Sequence, residues 1–107
     1  MLKNIKLSII VPVLNEEDSV NSFLDAVIPV VSKVSEDYEI LFVDDGSTDD
    51  TIEIITERLK QNTKIRIVSL SRNFGKDIAL SAGLKESNGQ AVIPMDVDLQ
   101  DPPELIL

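Results

Sequence analysis

The chain contains no cysteine, no histidine and no tryptophan. Without cysteine there is no disulfide and no thiolate metal site. Without histidine there is no imidazole base, no Ser-His-Asp triad and no His-ligated metal, so any metal must be a hard cation held by oxygen. Aromatics are scarce, with one Tyr and three Phe, which removes the platforms on which single-stranded nucleic acid stacks. Positive charge is scarce too: 10 basic residues face 19 acidic ones, for a net charge of -9. Such a chain does not grip a phosphate backbone by bulk charge, and nucleic acid is not expected as a partner. No run approaches the roughly 20 apolar residues of a membrane span. The opening residues, Met1 to Lys6, lead straight into a strand-like run and do not read as a secretory signal.

What is present is an ordinary globular balance. Apolar residues make up 43% and charged residues 27% of 107 positions, enough for one small domain or part of one. The chain stops at Leu105-Ile106-Leu107, directly behind its richest acidic cluster. An apolar end without a polar tail leads us to expect that a larger protein continues there.

Hydropathy patterning divides the chain into alternating elements. Leu7 to Val13 is β-branched and mostly apolar, as in a strand buried on both faces. Asn15-Glu16-Glu17-Asp18 supplies a capping side chain and negative charge for a helix start, with Asn15 as the cap. Val20, Phe23, Leu24, Val27, Val31 and Val34 recur at helical spacing, interrupted by Pro29, which is expected to kink or divide the helix. Glu39 to Val43 is a second buried strand, ending in the turn Asp44 to Thr48, where Ser47 and Thr48 suit helix capping. A helix over about Asp49 to Gln61, a strand over Lys64 to Leu70 and a loop over Ser71 to Gly75 follow. A third helix through Ile78, Ala79, Ala82 and Leu84 ends near Gly89, which suits a left-handed helix end. Gln90 to Met95 is a fourth strand, and Asp96 to Glu104 an acidic, proline-containing loop. The order β-α-β-α-β-α-β with short connections predicts an open, mainly parallel α/β sheet with right-handed crossovers.

Ligands of such sheets sit beyond the carboxyl ends of the strands. That places Pro12 to Glu16, Asp44 to Thr48, Ser71 to Lys76 and Asp96 to Gln100 at one edge. Alternate side chains of an extended segment point the same way, so Asp96, Asp98 and Gln100 would share a side about 7 Å apart from Cα to Cα. Three oxygen ligands there suit Mg2+ or Mn2+ with positions left for water and phosphate. The other reading of this segment is a solvated acidic loop. An EF-hand fails, because Asp101 stands at its glycine position and Leu107 at its glutamate position. Asp44-Asp45 could accept hydrogen bonds from a base or a ribose, or cap a helix. Arg72 to Lys76 offers two cations and a glycine at a helix start, a plausible diphosphate contact or a plain surface loop. The P-loop and G-x-G-x-x-G patterns are absent.

Taken together these stretches resemble the N-terminal, nucleotide-binding half of the inverting glycosyltransferases of family 2, which have a GT-A fold. The resemblance is carried by Val11-Pro12-Val13-Leu14-Asn15-Glu16-Glu17, Val43-Asp44-Asp45-Gly46-Ser47-Thr48-Asp49, Arg72-Asn73-Phe74-Gly75-Lys76, Ala79 to Gly83, and Met95 to Glu104. The Arg-Asn-Phe-Gly-Lys loop and the Asp-Leu-Gln-Asp-Pro-Pro-Glu ending are similar to the dolichyl- and undecaprenyl-phosphate sugar transferase branch. The resemblance implies a Rossmann-like sheet, a nucleotide-sugar donor, with UDP-glucose favoured over GDP-mannose, and a polyprenyl-phosphate acceptor. It implies that the backbone around Pro12 and Leu14, with Glu16, lines the nucleoside pocket and that Val43 and Asp45 hold the base; Lys76, one of the two cations of the Arg72 to Lys76 loop, is expected to meet the donor. It further implies that Asp96 and Asp98 serve the nucleotide and an Mg2+ or Mn2+ ion, with Gln100 as a third metal ligand. Leu14 departs from the family, which often has an aromatic residue there, and Val97 replaces the commoner Ala. The family's acceptor-binding half and membrane-associating helices would follow Leu107, at the cytoplasmic side of a membrane. The 107 residues are then expected to bind donor without turnover, and to expose an apolar surface through which they form homo-oligomers or aggregate. Two rivals are a binding-only module and a phospho-accepting receiver domain. The receiver needs its acidic pair after the first strand and a phosphorylatable Asp after the third, whereas the pair here follows the second and the third ends in Leu70-Ser71.

Overall fold

A computed structural model of the chain describes residues 5–98. Strands β1 (Leu7–Val13), β2 (Tyr38–Asp44), β3 (Ile65–Ser69) and β4 (Ala91–Pro94) alternate with helices α1 (Val20–Val34), α2 (Thr51–Gln61) and α3 (Lys76–Glu86). The strands form one parallel sheet in the order β3-β2-β1-β4. The chain steps outward from β1 through β2 to β3, then crosses back over the sheet to lay β4 on the other side of β1. Right-handed crossovers require the return to run on the opposite face, so α1 and α2 cover one face and α3 the other.

The two central strands are covered on both faces, which is why they read as continuous apolar runs. Every residue of β2 is buried, and all but Pro12 of β1. Alternation sorts them by face. Ile9, Val11, Ile40 and Phe42 join Phe23, Leu24, Val27 and Val31 of α1 in the larger core. There Phe23 meets Phe42 edge-on with centroids 6.0 Å apart. Ile10, Leu41 and Val43 face Ala79 of α3 in the smaller one. α3 lies so close to the sheet that a Cβ on Gly83 would collide with Ile10 and come within 3.0 Å of Val43.

Several local expectations are corrected. α1 starts at Val20 with Ser19 as its N-cap, and no acidic residue lies in its first turn. Asn15 to Asp18 therefore precede the helix, and Asn15 is not its cap. Pro29 sits inside α1 without dividing it, because the packed apolar stripe outweighs the backbone bond that proline removes. α2 begins at Thr51, and Asp49, rather than Ser47 or Thr48, accepts the Thr51 amide at its start (3.0 Å). Gly89 is not left-handed: only Gly46 and Gly75 among the described glycines have positive φ. Its missing side chain instead leaves room for Ser8, whose Oγ and amide a Cβ there would strike.

At the amino ends of the strands, Glu39 is buried and fully engaged. It accepts hydrogen bonds from Ser8 Oγ, from Asn88 N at 2.7 Å and from Arg66 Nη1 at 2.7 Å. Burial alone would raise its pKa, but the bonds from Asn88, Ser8 and Arg66 outweigh this and hold it below the ordinary carboxylate value.

Candidate active site

The strand order reverses between β1 and β4, and an open α/β sheet has its crevice beyond such a switch point. A cavity of about 300 Å³ lies there. Its wall includes Pro12, Leu14 and Glu16 from the end of β1, Asp45 from the end of β2, Gly75 and Lys76 from the start of α3, and Asp96 and Asp98 beyond β4. Each group arrives because its strand or helix ends at this edge.

A seam of hydrogen bonds fixes the first two loops against each other. Asn15 has φ +52°, the left-handed region in which asparagine is one of the few tolerated side chains. That turn aims its Oδ1 at the amides of Thr48 (2.8 Å) and Asp49 (3.3 Å), while its own amide donates to Ser47 Oγ (2.9 Å). Glu16 N donates to Thr51 Oγ1 (2.8 Å), and Glu17 N to Asp49 Oδ2 (3.3 Å). Desolvation works against ionisation of Asp49, but the hydrogen bonds from Thr51 and from the Glu17 amide hold its pKa below the usual value. Glu17 is raised, first by desolvation and then by Asp49, Asp50 and Asp18.

The adjacent aspartates divide their work. Asp44 turns inward and its Oδ2 accepts the amides of Gly46 and Ser47 at 3.3 and 3.1 Å. Asp45 faces the cavity, and its Oδ1 and Oδ2 accept the amides of Phe74 (2.8 Å) and Gly75 (3.0 Å). Gly46 (φ +90°) allows this close approach, since a Cβ there would lie 2.7 Å from Asn73 N and 2.8 Å from the Arg72 carbonyl carbon. Gly75 (φ +102°) is the N-cap of α3 and carries the chain from the loop into the helix.

The residues predicted for the site are brought together with few exceptions. Pro12, Leu14, Glu16, Asp45, Lys76, Asp96 and Asp98 all line the cavity. Val43 does not: its side chain is buried under α3. Arg72 is not a lining residue either, and its guanidinium lies 4.8 Å from the centroid of the Phe74 ring. Asp96 and Asp98 do not owe their placement to strand alternation, because β4 ends at Pro94 and residues 97–98 form a turn. Val97 packs into the larger core between them. Gln100 lies outside the described residues. Among those that are described, no group of three or more acidic side chains is gathered closely enough to cage a metal. The donor set present, carboxylates without nitrogen or sulfur, nevertheless fits a hard divalent cation that keeps water and phosphate oxygens as its other ligands. Asn73, which the sequence places in the Arg72–Lys76 loop without a role of its own, also lines the cavity, and its Oδ1 accepts the Gly75 amide at 3.1 Å. An asparagine two before a glycine is a common turn signal, and nothing in its type announces a cavity.

An open parallel sheet with a cavity at its switch point is a Rossmann-like α/β fold. The sequence profile of glycosyl transferase family 2 matches residues 8–107, and the chain belongs to that family. It is 50% identical over 102 residues to an uncharacterized glycosyltransferase of Synechocystis sp., covering 95% of this chain and 32% of that protein. It is 45% identical over 101 residues to the prophage bactoprenol glucosyl transferase homolog of Escherichia coli, covering 94% of this chain and 33% of the relative. The chain thus spans about a third of the length of these relatives. Among solved structures, it is similar to the mannosyltransferase PcManGT from Pyrobaculum calidifontis in complex with GDP-Man and Mn2+. That match has a TM-score of 0.79 and 26% identity, over 88% of this chain and 28% of that one.

Proposed function

We propose that the chain is the donor-binding part of a glycosyltransferase that moves a hexose from a nucleotide sugar to a polyprenyl phosphate. The convergence of Glu16, Asp45, Lys76, Asp96 and Asp98 on one cavity carries this reading. The bactoprenol relative supports the lipid acceptor, and UDP-glucose is the favoured donor, with GDP-mannose as the alternative.

The nucleoside lies against Pro12, Leu14 and Glu16, with a base N–H accepted by a remaining lone pair of Asp45. Asp96 and Asp98, with Gln100, would hold Mg2+ or Mn2+, which would supply positive charge against the diphosphate leaving group. This reconciles an acidic chain with an anionic donor. The diphosphate points toward the start of α3, where Lys76 and the helix dipole favour negative charge. In the transfer, the bond from the anomeric carbon to the diphosphate oxygen breaks. The nucleoside diphosphate leaves with the electron pair, while an oxygen of the lipid phosphate bonds to that carbon from the opposite face. The configuration inverts. The phosphate nucleophile is already ionised, so no protein base is needed and the lack of histidine is no obstacle. The acceptor and the membrane anchorage of the whole protein belong to segments beyond this chain, at the cytoplasmic face.

Calorimetric titration of UDP-glucose and GDP-mannose, with and without Mn2+, tests the reading in the wild type and in Asp98→Ala. Metal-dependent binding that weakens at least about tenfold in the variant is expected, from loss of one charged ligand. Equal metal-dependent affinity in both proteins overturns it.

A further inference from the structure

Lys76 Nζ lies 2.6 Å from Asp96 Oδ1. The two residues also line a second hollow of about 240 Å³, together with Pro12, Leu80, Pro94 and Met95. The ion pair is thus a shared wall between that hollow and the donor cavity. A lysine in the first turn of a helix opposes the helix dipole, so helix stability does not account for its position. Nor does packing: the Lys76 side chain is 61% exposed, against 29% for Asp96. An exposed pair of this kind contributes little to folding. It does place a cation on one of the carboxylates assigned to the metal.

We propose that Lys76 is a resident counter-ion that exchanges partners during donor loading. Before loading it neutralises Asp96 and keeps that carboxylate turned into the cavity. When a divalent cation claims Asp96, the Lys76 ammonium swings on its four-carbon stem to the donor's diphosphate. Metal entry and nucleotide binding are then coupled through one side chain: the lysine competes with the metal alone and cooperates with the metal–nucleotide pair. This inference rests on the donor-site reading above and adds an order of events to it.

The test follows the Lys76 Nζ resonance in a 15N NMR spectrum of the chain, assigned by its loss in Lys76→Met, as Mg2+ and then UDP or GDP are added. A shift on adding Mg2+ and a second shift on adding nucleotide are expected. Free Mn2+, titrated by electron paramagnetic resonance, should bind Lys76→Met about fivefold more tightly than the wild type, because the competitor is gone. Nucleotide affinity at saturating Mn2+ should fall in the same variant. Lys85→Met, at the other end of α3, should match the wild type in both. If the wild type binds Mn2+ and nucleotide while the Lys76 resonance stays fixed, or if Lys76→Met leaves Mn2+ affinity unchanged, the exchange is refuted and the donor site stands. If the wild type binds neither, both fall.

Discussion

Asp45 Oδ2 accepts the amide of Gly75 at 3.0 Å, across 30 residues of sequence, while its other oxygen takes the neighbouring amide of Phe74. A carboxylate whose sequence context suggested a ligand contact is also the clasp that holds the start of α3 over the end of β2. The floor of the cavity and one of its walls are therefore set by a single side chain.

Replacing Asp45 by Asn should separate these roles poorly, because the amide nitrogen would confront a backbone N–H. We expect a loss of about 1 kcal/mol in urea denaturation, from one unsatisfied, part-buried donor. Nucleotide affinity should fall with it. Unchanged stability would show that the clasp contributes nothing.

Asn15 offers a cleaner dissection. Asn15→Ala loses both the hydrogen bonds to residues 48 and 49 and the tolerance for positive φ, at a cost of about 1–3 kcal/mol. Asn15→Gly restores the backbone freedom alone, so it should recover part of that loss. Chemical denaturation of the three proteins checks the order wild type, Gly variant, Ala variant.

The architecture was legible because the two central strands are buried on both faces and helices α1 and α2 carry their apolar residues on one stripe, whereas α3 buries Ala79 and leaves Ile78 and Leu84 exposed. β1 was read with its observed limits, Leu7 and Val13. What could not be read were contacts that join distant segments. Nothing local distinguishes an asparagine that caps the helix ahead of it from one that turns left-handed and bonds a loop 33 residues away. Asp96 and Asp98 were grouped for a reason that did not apply, since a turn and not an extended strand presents them. They still reach the same cavity, because Val97 between them is anchored in the core. The resemblance gives Val43 to the base, while its side chain packs under α3 and does not line the cavity.

Gly46→Ala should be costly in two ways. The φ of +90° is unfavourable for a side chain, and the new methyl would press on the backbone of Arg72 and Asn73. We expect a loss of at least about 1–3 kcal/mol and weaker nucleotide binding, because the loop that presents Gly75 and Lys76 must move. Wild-type thermal stability and affinity in this variant would contradict the described packing.

Glu39 gives the chain an acid-sensitive contact. Its folded pKa lies below that of the unfolded chain, so ionised Glu39 adds stability above the unfolded value. The contribution disappears as pH falls through the folded value. Glu39→Gln should be less stable than the wild type at pH 7, and the gap should close on acidification toward the low end of carboxylate titration. Urea midpoints measured across that range check the sign. A gap that widens in acid would be incompatible with it.

α3 is fastened at both ends: by the Asp45 clasp where it begins and, just past its last turn, by Glu39 through Asn88. Eleven helical residues separate the two fastenings, roughly 16 Å of stiff rod. Such a rod conveys tilt. A change made at the amino end of the sheet, on the side remote from any sugar donor, would re-aim the Lys76 ammonium without touching a single group that lines the cavity.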